Sequence, residues 1–452
     1  RFFGRSSHRI AANPKKRRIP AGLRRSARAA LAPMSGSSRW TPLVISPLLC
    51  ALACGFDAGN PGATSVTATL GDPSTTSQPA DGSTGVDDGS EGTETDAGHS
   101  EDTAASPCDD GWWNAEWSHR SRLRFRGGDH DEILVDMPVL VVLTPNRIDH
   151  DVAAADASDL RFVDVNGTVV FPHEVEHWDP AGTSFVWVRV PAVPYTDDTY
   201  SFWVYYGNPG ASAAESPAQV WSAGYRGVWH MNDAAGNVRN SAAPVAFGEI
   251  SGTTHEPDGK IAAGRSFAGP QVPDQQVPLG ADSAPFFDGW SSFTLSFWVR
   301  PDYPDDATWQ QHSPGRVIDK GGPMRAGRIW RPDGAPAGEG RVELRFEFEH
   351  GGSISRNASI RRDHWSWIVY TYDGEVFRMF RDGIETSATG LRDDRLIEGL
   401  EDVRLGDAFE PMWGTLDELR VADVGRSPVW IEAQHRSMSD ELLAYSIPES
   451  CP

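Results

Sequence analysis

Cysteine is scarce, and long apolar runs are nearly missing. Only four of the 452 residues are cysteine, and no Cys-x-x-Cys pair, phosphate-binding loop or Ser-His-Asp arrangement is present. The one long apolar run, Pro42 to Ala53, falls short of the roughly 20 residues that a membrane-crossing helix needs. Acidic residues are missing from residues 1–33, which carry ten Arg or Lys, and basic residues are missing from Gly55 to Pro107, which carries ten Asp or Glu. The formal net charge is -22, so the body as a whole repels nucleic acid and anionic lipid. Taken alone, the basic start would read as a nucleic-acid arm. Met34, however, opens a conventional export signal, and residues 1–33 are most simply sequence translated upstream of the true start.

What is present points outward from the cell. In MSGSSRWTPLVISPLLCALACG, Arg39 precedes an apolar segment of signal-peptide length that ends in small residues at Cys54. Ala51-Leu52-Ala53-Cys54 is similar to the lipobox of bacterial lipoproteins, although Leu is usual where Ala51 stands. The expectation is lipidation at Cys54 and a place in the cell envelope, anchored in the outer membrane by lipid alone; the alternative is cleavage near Ala53 and plain secretion. Residues 55–107 are acidic, turn-rich and poor in apolar groups, so they are expected to form a disordered, self-repelling tether. Cys50 and Cys54 belong to the signal. Cys108 and Cys451 remain, at the two ends of the folded region, and in an exported protein such a pair is expected to form a disulfide.

The 45 Gly, 33 Pro and 17 Trp suit many short strands and tight turns. One string demands a decision: His173-Glu174-Val175-Glu176-His177 has the HExxH pattern of a zinc protease. On a helix both imidazoles share a face and reach one ion; on a strand they stand roughly 13 Å apart. The surroundings read as strand. SRLRFRG, MPVLVVLTP, DLRFVDVNG, TVVFPHEVEHWD, SFVWVRVP and TYSFWVYYGN recur at about ten-residue spacing, with Asn166-Gly167 as a type I′ hairpin signal. HEVEH is therefore expected on a half-exposed strand with its charged residues outward, binding no zinc. WWNAEWSHRSRLRF, DLRFVDVNGTVVFPHEVEHWD, FVWVRVP and FWVYYGNPGA together resemble the bacterial domain of unknown function DUF2341, which commonly precedes LamG-like domains in exported surface proteins. That resemblance implies architecture and location but no catalytic residue.

From Tyr225 the alternation continues. Phe293, Leu295, Phe297 and Val299 interleave with Thr294, Ser296, Trp298 and Arg300, which predicts one buried and one more polar face. Only VWIEAQHRSM reads as helix, capped by Ser427 with Pro428 at its first position. GVWHMND, GRSFAG, FTLSFWVRPD, VIDKGG, HWSWIVYTYDG, VRLGD and GTLDELRVADVGRSPVWIEAQ resemble the LamG-like, concanavalin A-like jelly roll, with Arg325 to Gly340 as an enlarged rim loop. The predicted fold is all-β: signal 34–54, tether 55–107, an antiparallel sandwich over 108–222 and a jelly roll over 223–452.

The jelly-roll resemblance implies a binding module for a glycan or a surface protein. Some resembling modules hold a structural Ca²⁺ near their chain ends, which directs attention to Asp233 and Asp417; the plainer reading has Asp233 capping a turn and Asp417 bonding backbone amides. Trp309, Trp330 and Trp413 lie outside the alternating runs and are the expected ligand-stacking residues, unless they only cover sandwich edges. Trp229, Trp298 and Trp367 read as core. A glycosidase would need two carboxylates on one face about 5 to 5.5 Å apart. Glu347 and Glu349 meet that pattern beside Arg345, whereas Asp417 and Glu418, being adjacent, should point to opposite faces. The expected function is non-catalytic binding, with a purely structural or adhesive spacer as the alternative and a hydrolase as the more remote one.

Overall fold

The computed structural model of the protein describes residues 108, 111–243, 247–391, 393–399 and 401–451. The signal-like segment, Cys54 and the acidic tether lie outside them. The described residues form two stacked antiparallel sandwiches, as the period-two text predicts. No described helix is long and apolar enough to cross a membrane.

In the first sandwich, one sheet runs in the order Leu443–Tyr445, His119–Phe125, Ser201–Tyr206, Arg161–Asp164, Val170–Phe171. The facing sheet is Ile133–Leu143, Ser184–Pro194, His173–His177. Along His119–Phe125, Ser121, Leu123 and Phe125 are buried while Arg122 and Arg124 are exposed, the burial of a strand with one face on a core. The hairpin at Asn166-Gly167 forms, but it is not type I′. Gly167 alone turns left-handed, with φ 70°, and its N–H bonds the Asp164 carbonyl at 3.0 Å. The Asp164 carboxylate accepts from the N–H groups of Thr168 and Val169, each at 2.7 Å, so an aspartate holds the turn in place of a second left-handed residue.

Past this turn the strand changes sheet. Val170–Phe171 pairs with Arg161–Asp164, whereas His173–His177 pairs with Ser184–Pro194 in the facing sheet. The crossing falls at Pro172, which has no N–H to continue a ladder. HEVEH is thus a strand, as expected, but its acids do not face water: Glu174 is buried, and the Glu176 side chain is wholly so. Alternation fixes which side chains share a face and says nothing of what covers that face.

The cover is the second sandwich. Its two sheets are Thr254–Glu256, Gly264–Ala268, Trp413–Ala422, Phe293–Arg300, Ser366–Tyr372, Val376–Arg381, Ile384–Gly390, and Gln276–Pro278, Arg404–Gly406, Gly315–Lys320, Met324–Trp330, Glu339–Phe348, Gly352–Arg361. Between them lies a core that includes Phe293, Leu295, Phe297, Phe346, Tyr370 and Leu416. The predicted polar face of Phe293–Arg300 is also buried, with Thr294 at 7%, Ser296 at 5% and Trp298 at 2% exposure. Trp298 and Trp367 join Trp430, Ile431 and Met438 of the helix Pro428–Met438, and Leu140 and Trp187 of the first sandwich, in one apolar cluster. Burying one Trp removes 150–250 Å², a gain of about 4–6 kcal/mol before entropy is counted. The two sandwiches therefore share a core.

The helix begins where expected: the Ser427 side chain accepts from the Trp430 N–H at 3.1 Å. It then returns the chain to the first sandwich. Leu443–Tyr445 pairs with His119–Phe125, so these residues, placed by sequence in the jelly roll, are strands of its neighbour. Cys108 and Cys451 are joined by a disulfide there, with Cα atoms 5.6 Å apart. Only half of the stretch Arg325 to Gly340 is loop, since Met324–Trp330 and Glu339–Phe348 pair directly and leave 331–338 as the turn.

Candidate functional site

Glu174 and Glu176 meet three residues of the second sandwich. His230 follows the strand Tyr225–Trp229, and Glu418 and Arg420 lie on Trp413–Ala422. His230 Nδ1 stands 2.5 Å from Glu418 Oε1 and 3.5 Å from Glu176 Oε2, while its Nε2 stands 3.3 Å from Glu174 Oε2. Glu174 also accepts from the Trp221 indole N–H at 2.6 Å and the Ser241 hydroxyl at 2.5 Å, and Glu176 accepts from the Trp187 indole N–H at 2.7 Å. Arg420 Nε donates to Glu418 Oε2 at 3.0 Å, and its guanidinium lies over the rings of Trp187 and Trp221, 4.2 and 4.9 Å from their centroids.

A bulge makes this possible. The ladder between Phe293–Arg300 and Trp413–Ala422 shifts register between Ser296 and Trp298, and Glu418 takes a left-handed φ of 51° there. Adjacent Asp417 and Glu418, expected on opposite faces, are both fully buried. Asp417 Oδ2 accepts from the N–H groups of Lys260 at 2.7 Å and Ile261 at 2.9 Å.

Burial and charge set unlike protonation states on these acids. Burial, reinforced by Glu418, pushes the Glu176 carboxyl well above the ordinary carboxylate range, and the same two causes raise Asp417. Burial also opposes ionisation of Glu418, but His230 and then Arg420 outweigh it and bring Glu418 down to about 2. Glu174 is lowered against its burial by His230, Ser241 and Trp221. His230 is raised well above the usual imidazole value, because Glu418, Glu176 and Glu174 overcome its desolvation. The cluster thus sets His230 and Arg420 against Glu174 and Glu418, the two acids drawn toward their ionised form, while Glu176 and Asp417 are pushed toward their protonated form.

Beside the cluster opens a cleft of about 470 Å³, lined by Glu176, Phe185, Asn232, Asp233, Arg239 and His255 among others. Asn232 Nδ2 donates to the Glu176 carbonyl at 3.1 Å. Asp233, singled out for calcium, accepts from the Arg239 backbone N–H at 3.0 Å and its Nε at 2.9 Å. It is not joined to Asp417, whose Oδ2 is taken by backbone amides and whose Oδ1 has no partner among the described residues.

The three tryptophans part company. Trp309 is not in a loop. Asp305 caps a short helix, Asp306–Gln311, by accepting from the Thr308 N–H, and this turns Trp309 inward to full burial, stacked on Tyr303 at 5.1 Å. Trp413 starts a strand at 8% exposure, edge-on to the same Tyr303. Neither offers a free ring face. Trp330 remains half-buried at the wall of a second cleft, of about 320 Å³, with Gln310, Arg328, Arg331 and Asp333. Of the possible acid pair, Glu347 is held by Arg345 and Glu349 by Arg395, each at 2.8 Å. His173 is buried in the first sandwich, and His177 is exposed.

With this geometry in hand, comparison with known families is direct. Residues 156–242 match the domain of unknown function DUF2341, and residues 273–432 match the concanavalin A-like lectin/glucanases superfamily. The second sandwich is a concanavalin A-like jelly roll. No curated protein sequence matches the chain. Solved structures similar to it include the binding domain of Paraclostridial Mosquitocidal Protein 1, at 14% identity and TM-score 0.38, covering 47% of this chain and 52% of that one. Another is the Botulinum neurotoxin serotype D binding domain, at 8% identity and TM-score 0.36, covering 49% and 52%. The chain thus spans about half the length of each. The concanavalin A-like jelly roll accounts for the two-sheet architecture around Trp330. Sequence reasoning missed the His230–Glu418 cluster, although an Asp-Glu pair inside the apolar run GTLDELRVA was a signal that something covers that strand.

Proposed function

We propose that the chain is an exported, lipid-anchored envelope protein whose jelly roll binds a glycan or a surface partner without cleaving it. The observation that carries this reading is the cleft at Trp330. An indole at its wall, half-buried, stands beside a preorganised polar group: Gln310 donates to Asp333 at 2.6 Å and accepts from Arg331 at 3.2 Å. The buried indole Nε1 of Trp330 has no hydrogen-bond partner among the described residues. An aromatic flank with a few fixed polar atoms is the chemistry that selects a sugar ring. The match of 273–432 to the lectin/glucanase superfamily supports binding, and the pairing of Glu347 and Glu349 with arginines argues against the glucanase half of that name.

The test is a glycan array with and without Ca²⁺, read for the full chain and for Trp330→Ala. Specific retention that falls at least about tenfold in the variant supports the reading. Silence across the array returns the protein to a spacer role.

A further inference from the structure

From the His230–Glu418 cluster the geometry points to a divalent metal site of the zinc class, made by Glu176, His230 and Glu418 at the seam of the two sandwiches. One nitrogen or oxygen from each of the three lies within 4.8 Å of the others. Each of the three is also held by a neighbour. His230 Nε2 faces Glu174, Glu176 Oε2 accepts from Trp187, and Glu418 Oε2 accepts from Arg420. An imidazole whose second nitrogen bonds a carboxylate, beside carboxylates each held by one donor, is the outer shell that orients metal ligands.

The atoms that face one another are His230 Nδ1, Glu418 Oε1 and Glu176 Oε2, the last 3.5 Å from Nδ1, and the remaining Glu176 oxygen, Oε1, is fully buried with no hydrogen-bond partner among the described residues. A carboxylate oxygen left so is costly unless something occupies the space it faces. One imidazole nitrogen with two carboxylate oxygens suits Zn²⁺ and its first-row neighbours, whereas Ca²⁺ asks for six to eight oxygens. Ligands of a tetrahedral ion stand about 3.3 Å apart, so the 2.5 Å contact between Nδ1 and Oε1 must open by about 0.8 Å, a side-chain adjustment. The ion takes the place of the proton between those two atoms and of any proton that burial keeps on Glu176, and both pass to solvent. Arg420 offsets one of the surrounding carboxylate charges and leaves the site net anionic. The neighbouring cleft, lined by Glu176 and Asn232, lies beside the site and is the side from which the ion and a water as fourth ligand would enter.

This assignment is independent of sugar binding and takes only one ligand from the HExxH string, Glu176, with Glu174 behind His230; His177 is outside it. The test strips the full chain with chelator and titrates Zn²⁺ by calorimetry and Co²⁺ by visible absorption. One ion per chain is expected, with the bands of a four-coordinate cobalt centre, no competition from Ca²⁺, and a loss of at least 100-fold in Glu176→Gln. That variant keeps the shape of a protonated glutamate and the Trp187 bond. Should it not fold, Trp187→Phe removes the N–H on Glu176, with part of the ring beneath Arg420, while keeping an aromatic in the core, and should weaken Zn²⁺ about 10–100-fold. Absence of stoichiometric binding in the unaltered chain, unchanged affinity in these variants, or loss of binding in His177→Ala overturns the assignment.

Discussion

His173 provides a stability experiment whose size can be worked from the structure. Its ring is buried at 2% exposure beside Phe162, 5.3 Å between centroids, with the Arg161 cation nearby. Burial and then Arg161 push its pKa from 6.5 down to about 4. The folded protein therefore holds His173 neutral, while the unfolded chain takes up a proton below pH 6.5. Stability from this group is fully present above pH 6.5 and is lost as pH falls toward 4, where the folded state begins to titrate as well. The whole window is 2.5 pH units at 1.36 kcal/mol each, about 3 kcal/mol, and by pH 4.5 about 2.5 kcal/mol of it is gone. Urea unfolding of the unaltered chain and of His173→Leu, at pH 7.5 and 4.5, isolates the term, since the other titrating groups are common to both. The unaltered chain should lose about 2.5 kcal/mol more than the variant on acidification. Parallel losses would refute the burial argument.

Three further outcomes follow from the seam. Arg420→Ala leaves Glu418 buried without its guanidinium and should cost about 3–5 kcal/mol in urea unfolding. Cys451→Ser opens a link spanning 343 residues and should lower stability by about 2–5 kcal/mol under oxidising conditions, with no effect under reducing ones. Because Trp298, Trp367 and Trp430 belong to a core common to both sandwiches, calorimetry should show a single unfolding transition, and Trp430→Ala should lower it as a whole by about 3–5 kcal/mol; two separable transitions would contradict the shared core.

Strands and hairpins were legible because both are local. Side chains two apart share a face, and Asn166-Gly167 marks a turn even though Asp164, rather than a second left-handed residue, shapes it. The helix at Ser427-Pro428 was legible for the same reason. Contacts distant in sequence were not. Glu174 and Glu176 read as outward-facing, and Thr294 and Ser296 as a more polar face, because alternation cannot reveal that another sandwich covers them. Trp309 read as a loop residue because a helix of 6 residues capped by Asp305 leaves no apolar period to detect. At Glu418 a bulge breaks the two-residue rule itself, and with it the inference that Asp417 and Glu418 diverge. The return of Leu443–Tyr445 to the first sandwich left no trace in any local pattern.

The claim that this chain holds its ligand without cutting it meets its most direct test in a single incubation of the full chain with the glycans it retains, each labelled at its reducing end and followed by chromatography. Retention with no new reducing ends, at any pH from 5 to 8, is the expected result. Progressive shortening of the labelled glycan, abolished by Glu347→Gln, would contradict it.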